Sequence, residues 1–260
     1  YWFGLKRLGP VLAPVGGPVA TRKQIVSFYV GLAILWVGAD FPLHELSEDY
    51  LFSMHMVQHT LFSLVAPPFL LMGMPAWILR KLIEPKWVWR VARVATRPVF
   101  GLVAFNVMVV VTHWPTLVNA SVSSEPLHFA LHLVLFSSAM CMWWPVIAPL
   151  PELARLSEPA KMIYLFLQSV VPTVPASFLT FTSTPIYSVY ASFPRLWGLD
   201  PVTDLRVAGL IMKLGGGLLL WIAIAIVFFR WSAKEERQQH EEVTWEEFER
   251  ELEAFDMRRT

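Results

Sequence analysis

Cysteine is almost missing from this chain, which has Cys141 as its single cysteine among 260 residues. One cysteine excludes an internal disulfide and a metal site built from several thiolates. A bound metal would need His, Met, Asp, Glu or backbone ligands. Charge is also scarce, because Asp, Glu, Lys and Arg make up 16% of the residues, where soluble domains average about 25%. The net charge of +1 gives no electrostatic case for binding nucleic acid.

What the chain has in excess is apolar sequence. Hydrophobic residues make up 55% of it, and the mean hydropathy is +0.51. They come in blocks long enough to cross a bilayer, which a helix does in about 20 residues. We therefore predict an all-α, polytopic transmembrane helical bundle in a lipid bilayer. Its six predicted spans are residues 24–41, 49–73, 98–114, 125–144, 162–182 and 204–229.

The two ends of the chain differ from this apolar middle. The aromatic start, residues 1–5, precedes Lys6 and Arg7, which is typical of a seventh, truncated span upstream or of a short interfacial anchor. The tail is highly charged and has an apolar stripe at helical spacing, formed by Trp245, Phe248, Leu252 and Phe255. We predict two domains, a bundle at 1–231 and a charged C-terminal amphipathic helix within 232–260. This helix would either dock on a partner protein or on lipid headgroups, or it would simply be solvated.

Loop charges predict how the bundle lies in the membrane. The loops at 6–23 and 80–97 are rich in Lys and Arg, whereas those at 40–49 and 115–124 have neither. The positive-inside rule places the basic loops in the cytoplasm. This predicts a multi-pass protein of the cell's inner (plasma) membrane with its C-terminus in the cytoplasm.

Histidines gather in the half of the bundle predicted to face away from the cytoplasm. His55 and His59 are four residues apart, as are His128 and His132, so each pair shares one helix face. His113 ends the third span. Imidazole in a membrane helix is costly and usually marks function. Five histidines at similar depth on three helices favour a metal site over five unrelated packing residues.

The ligand types indicate which metal this site would hold. Imidazole suits copper, zinc, iron and nickel, whereas thioether favours Cu(I). Met54 and Met56 flank His55, so the predicted metal at this outer face is copper, as Cu(I). Asp204 and Glu125 lie at the same predicted depth. Each could orient a ligating imidazole or simply cap its own helix.

Several short motifs follow one another along the chain. They are, in order, His55-x-x-x-His59, Ala66-Pro67-Pro68, Gly73-Met74-Pro75, His113-Trp114-Pro115, Glu125-Pro126-Leu127-His128 with His132, Trp144-Pro145, and Asp204 with Ala208-Gly209-Leu210-Ile211-Met212. This ordered set resembles a known family, the CtaG-type assembly proteins of caa3-type cytochrome c oxidases. The resemblance covers residues 1–230 and departs from the family pattern at Leu205-Arg206 and Lys213.

The resemblance implies a non-enzymatic membrane factor that assembles a haem–copper oxidase by delivering copper to its catalytic centre. The implied partners are oxidase subunits and a copper-donor protein. That the five histidines ligate the metal is our own inference. Two alternatives remain: a b-haem membrane electron carrier and a non-metal scaffold subunit. The haem alternative is weakened because the two histidines of one same-face pair cannot bind opposite sides of one iron.

Overall fold

The computed structural model describes the backbone of residues 1–14 and 16–257, and their side chains except those of 240–244, 246, 247, 251 and 253–257. All regular structure in that part of the chain is helical, and helix accounts for 79% of the residues. This confirms the prediction of an all-α membrane bundle. Three five-residue π-helical turns, Gly4–Leu8, Leu61–Val65 and Ile211–Gly215, interrupt the α-helices.

Fifteen α-helices follow one another along the described residues. They are α1 Gly9–Leu12, α2 Arg22–Ala39, α3 Leu43–Asp49, α4 Phe52–Thr60, α5 Ala66–Gly73, α6 Ala76–Leu82, α7 Lys86–Ala95, α8 Pro98–Thr112, α9 Pro115–Val122, α10 Glu125–Ile147, α11 Glu158–Val170, α12 Thr173–Thr180, α13 Ser188–Ser192, α14 Pro201–Leu210 and α15 Gly216–Met257.

Five helical stretches are long and apolar enough to cross a membrane. The pair α7 and α8, bent by 75°, would make a sixth if it counts as one span. The six predicted spans equal this upper count, and their number stays a prediction. The five stretches are Arg22–Asp49, Phe52–Gly73, Glu125–Ile147, Glu158–Thr180 and Pro201–Gln239.

Five segments predicted as loops contain helices. The loop at 6–23 includes α1, the loop at 40–49 includes α3, and the loop at 80–97 includes the end of α6 and all of α7. The loop at 115–124 contains α9, and the loop at 183–203 contains α13 and the start of α14. These helices are short, and a pattern based on long apolar runs does not detect them.

The charged tail continues the last span as one helix. Its backbone is helical without a break through α15, which has 42 residues. Trp245, Phe248 and Leu252 are 65%, 50% and 50% exposed, so the described part of the apolar stripe is uncovered. The side chain of Phe255 lies outside the described residues. The division of the chain into two domains stays a prediction.

Prolines shape the second span where it approaches the core. The carbonyl oxygen of Ser63 would accept from residue 67 in an α-helix or from residue 68 in a π-helix. Both positions are proline and have no N–H to donate. The indole Nε1 of Trp143, on α10, donates to this carbonyl oxygen instead, at 3.0 Å. This bond ties the histidine-bearing span to α10 inside the bundle.

Candidate metal centre

Asp204 holds the beginning of α4, the helix that bears His55 and His59. Its carboxylate accepts hydrogen bonds from the backbone N–H groups of Phe52 (2.7 Å) and Ser53 (3.1 Å). The first amides of a helix have no partner within it, and a negative charge at that end is favourable. Asp204 is 1% exposed. It therefore positions the two histidines through the backbone of α4.

Three imidazoles from two helices meet in what we call the three-histidine group: His55 and His59 of α4 and His132 of α10. One ring nitrogen of each lies within 4.8 Å of those of the other two. The Nε2 atoms of His59 and His132 are 3.2 Å apart. Two nitrogens bound to one tetrahedral ion through bonds of about 2.0 Å would be about 3.3 Å apart. Nδ1 of His55 is buried without a hydrogen-bond partner among the described residues, so these atoms fit a metal ion.

An imidazole–thioether pair lies beside the three-histidine group. Nδ1 of His113 is 2.6 Å from the carbonyl oxygen of Val109. Since a carbonyl oxygen only accepts, we assign the ring proton to Nδ1. The lone pair is then on Nε2, which lies 3.2 Å from Sδ of Met56. The rings of His113 and His59 are 5.7 Å apart, so the pair adjoins the group.

His128 contacts a carboxylate that was not among the predicted site residues. Its Nε2 lies 3.0 Å from Oε1 of Glu48, and the same oxygen lies 3.2 Å from Nδ1 of His44. The ring of His128 is 4.2 Å from that of His132, so Glu48 lies one imidazole away from the three-histidine group. The four-residue spacing of His44 and Glu48 on one helix is the sequence signal that could have indicated this contact.

Two tyrosines between the last two spans cover the histidines. The hydroxyl of Tyr187 donates to the carbonyl oxygen of His113 (3.0 Å), and that of Tyr190 donates to the carbonyl oxygen of Ser47 (2.8 Å). The ring of Phe52 packs against both, at 4.5 Å and 5.0 Å between ring centres. Burial raises the pKa of both phenols, so they remain protonated donors. Sequence patterns did not single out either tyrosine.

A cavity of ≈ 60 Å³ borders the three-histidine group. Met56, His59, His113 and Lys213 all line it. Residues of two π-helical turns, one in the second span and one in the last, form part of its wall, and such turns are frequent at functional sites. Nζ of Lys213 is 5.8 Å from the centre of the Phe181 ring, within the range of a cation–π contact.

The four predicted supporting residues differ in whether they contact the histidines or the helices that bear them. Met56 contacts an imidazole, and Asp204 caps α4 rather than orienting an imidazole or capping its own helix. That helix, α14, is capped by Asp200, whose carboxylate accepts from two amides of the first turn at 3.0 and 3.1 Å. Glu125 is exposed in the first turn of α10, and Met54 is half-buried on α4. Neither contacts a histidine nitrogen among the described residues.

Comparison with known proteins gives one finding. The family described as cytochrome c oxidase caa3 assembly factor matches residues 1–234. The match includes every predicted site residue and confirms the resemblance carried by the ordered motifs. The comparisons with curated proteins and with solved structures give no match.

Proposed function

The chain belongs to the family of cytochrome c oxidase caa3 assembly factors, and we propose that it binds copper at the three-histidine group and delivers it to the oxidase. Copper is cargo in this proposal, and the protein itself catalyses no reaction. The observation that carries the copper part is the convergence of His55, His59 and His132, whose ring nitrogens lie within 4.8 Å of one another.

The surroundings of the group favour Cu(I) among the metals that imidazole binds. The ring nitrogens of the three-histidine group lie near one another, and the adjoining His113 has the Met56 thioether 3.2 Å from its Nε2. The Glu48 carboxylate lies one imidazole away, 3.0 Å from Nε2 of His128. Soft thioether ligands select Cu(I), whereas hard cations prefer carboxylates and water. The pair of His113 and Met56 offers the ion a second position beside the three-histidine group. Zinc also suits imidazole, so zinc is the competitor that must be measured.

We place the histidines toward the extracytoplasmic side of the plasma membrane and the C-terminus in the cytoplasm. The loop charges support this orientation, because Lys and Arg are abundant at 6–23 and 80–97 and missing at 40–49 and 115–124. In this orientation, a copper-donor protein outside the cytoplasm could load the group without moving copper across the bilayer. The oxidase subunits would receive the ion on the same side.

The geometry weighs against the haem alternative. The cavity beside the histidines has a volume of ≈ 60 Å³, whereas pockets for drug-sized ligands measure about 300–1,000 Å³. The Nε2 atoms of His59 and His132 are 3.2 Å apart, and two imidazoles on opposite sides of one iron would hold their nitrogens about 4 Å apart. We therefore expect no Soret band from the purified protein.

The first experiment is metal analysis of the detergent-purified full chain, together with its visible spectrum. We expect copper in the wild type, a large loss of copper in the double variant His55→Ala/His59→Ala, and no Soret band. The matched control is His44→Ala, which removes a histidine outside the three-histidine group and should retain most of the copper. Equal copper in the wild type and the double variant would contradict the site, and so would a preference for zinc.

A scaffold role is the second candidate, and the exposed stripe on α15 favours it. Trp245, Phe248 and Leu252 present apolar surface on a highly charged helix, which is typical of a docking face. If the tail docks on the oxidase, Trp245→Ser/Phe248→Ser should weaken co-purification with the oxidase and leave copper content unchanged. If replacing the histidines leaves the oxidase fully loaded with copper, the scaffold role alone remains.

A further inference from the structure

Helix α7 forms a second candidate site, at a distance along the chain from the histidines. It meets α8 at a bend of 75°. If α8 crosses the bilayer close to its normal, α7 lies near the membrane plane. Such in-plane amphipathic helices bury one apolar face at the boundary between headgroups and acyl chains.

The apolar residues of α7 have two different environments. Trp89 and Ala92 pack against an apolar cluster formed by α6 and the segment after α10, which fixes the helix to the bundle. Trp87, Val91 and Val94 follow one another at helical spacing and are 70%, 59% and 48% exposed. Exposed apolar residues with a tryptophan among them are typical of a membrane interface.

The remaining face of α7 is basic. Lys86, Arg90 and Arg93 recur at helical spacing, so their side chains share one face. All three are exposed and line a groove of ≈ 500 Å³ next to α6. None of the three makes a hydrogen bond or ion pair with another described residue.

The acidic residues of the groove are already paired with other cations. Glu152 accepts from Nε of Arg80 at 2.5 Å. Glu84 pairs with Lys81, three residues before it. Because these contacts use the carboxylates, the three cations of α7 leave the groove with an uncompensated positive charge.

We propose that this groove binds the headgroup of an anionic phospholipid. Guanidinium groups match phosphate oxygens in geometry and charge, and basic pockets beside membrane helices bind anionic headgroups. The exposed Trp87, Val91 and Val94 on the same helix would contact the acyl chains. Free phosphate has no acyl chain and could not make these contacts. This site is independent of copper binding.

Native mass spectrometry of the delipidated full chain tests the site, with phosphatidylglycerol or phosphatidylcholine added. We expect phosphatidylglycerol to bind the wild type and phosphatidylcholine not to. The double variant Arg90→Gln/Arg93→Gln should bind phosphatidylglycerol about 25-fold more weakly, since each surface cation contributes roughly fivefold. Arg22→Gln/Lys23→Gln is the matched control, because it removes two exposed cations outside the groove, and it should bind as the wild type does.

Lys86→Gln, at the first turn of α7, removes the third cation of the groove and should also weaken the binding of phosphatidylglycerol. Circular dichroism checks the helix content of each variant. An excess of inorganic phosphate should not displace the lipid. The proposal is overturned if phosphatidylcholine binds equally, if the groove variants bind like the wild type, or if both double variants lose lipid to the same extent. Displacement by inorganic phosphate would instead identify a site for a free anion.

Discussion

Two methionines flank His55, and among the described residues the sulfur of Met56 is the one that contacts an imidazole, 3.2 Å from Nε2 of His113. Leucine fills nearly the same volume as methionine but has no sulfur lone pair. We therefore expect Met56→Leu to lower Cu(I) affinity several-fold and to change zinc affinity less. Competition with a Cu(I) chelator measures this. Met54→Leu is the matched control, and equal losses in both variants would contradict a role for the Met56 sulfur.

Asp204 acts on the site through the helix it caps. Asp204→Asn removes the charge and one of the two oxygens that accept from Phe52 and Ser53. We expect α4 to lose about 1–2 kcal/mol of stabilisation, with a lower thermal midpoint and less copper per protein. Thermal unfolding in detergent and metal analysis measure the two effects. Asp200→Asn, at an exposed cap, should have a smaller effect on both, and the reverse order would refute the argument.

At the residue scale, histidine spacing selected the three imidazoles that the structure brings together, but the sequence prediction missed two of the groups around them. His55, His59 and His132 could be selected because imidazole is rare in apolar helices and four-residue spacing defines a face. Glu48 and Tyr190 come from segments between the predicted spans, and they reach the site through tertiary packing. Glu48 had one local signal, its four-residue spacing from His44. Tyr190 had none, because no local pattern encodes its contact with the carbonyl oxygen of Ser47.

At the element scale, a hydrogen bond from α10 to the second span replaces a backbone hydrogen bond that the second span cannot make within itself. The two residues whose backbone N–H would normally donate to the Ser63 carbonyl oxygen are Pro67 and Pro68, which have no N–H. The indole Nε1 of Trp143 donates to it instead, at 3.0 Å. Trp143→Phe should therefore lower stability by about 1–3 kcal/mol, because a buried carbonyl loses its donor. In the background of Pro67→Ala, which restores a backbone N–H four residues after Ser63, the same change should cost less. Thermal midpoints of the four proteins measure this coupling, and additive effects would rule it out.

Hydropathy predicted the long helices better than the short ones. Apolar runs indicated the cores of α2, α10 and α15, because bilayer-length hydrophobicity is a strong signal. Helix α7 was predicted as part of a basic loop. It alternates cations with aromatic and aliphatic residues, so its average hydropathy is low although its faces are distinct. A search for helical periodicity in the basic loops could have detected it.

At the scale of the whole molecule, span topology brings the histidines together. Consecutive spans run in opposite directions, so the start of α4, the end of α8 and the start of α10 lie at one end of the bundle. The rings of His59 and His113 are 5.7 Å apart, and those of His55 and His128 are 5.5 Å apart. This convergence agrees with the sequence prediction. The prediction of which side of the membrane this end faces rests on loop charge alone.

Cysteine labelling can test that orientation, because Cys141 is the single native cysteine and can be replaced in Cys141→Ser. In this background, Ser123→Cys places a thiol at an exposed position between His113 and His128. Glu84→Cys places a thiol between α6 and α7, where the side chain is 63% exposed. A membrane-impermeant maleimide should label position 123 in intact cells and position 84 only after the membrane is opened. The reverse pattern would put the histidines on the cytoplasmic side. Copper would then have to be loaded from the cytoplasm, even if the three-histidine group binds it as proposed.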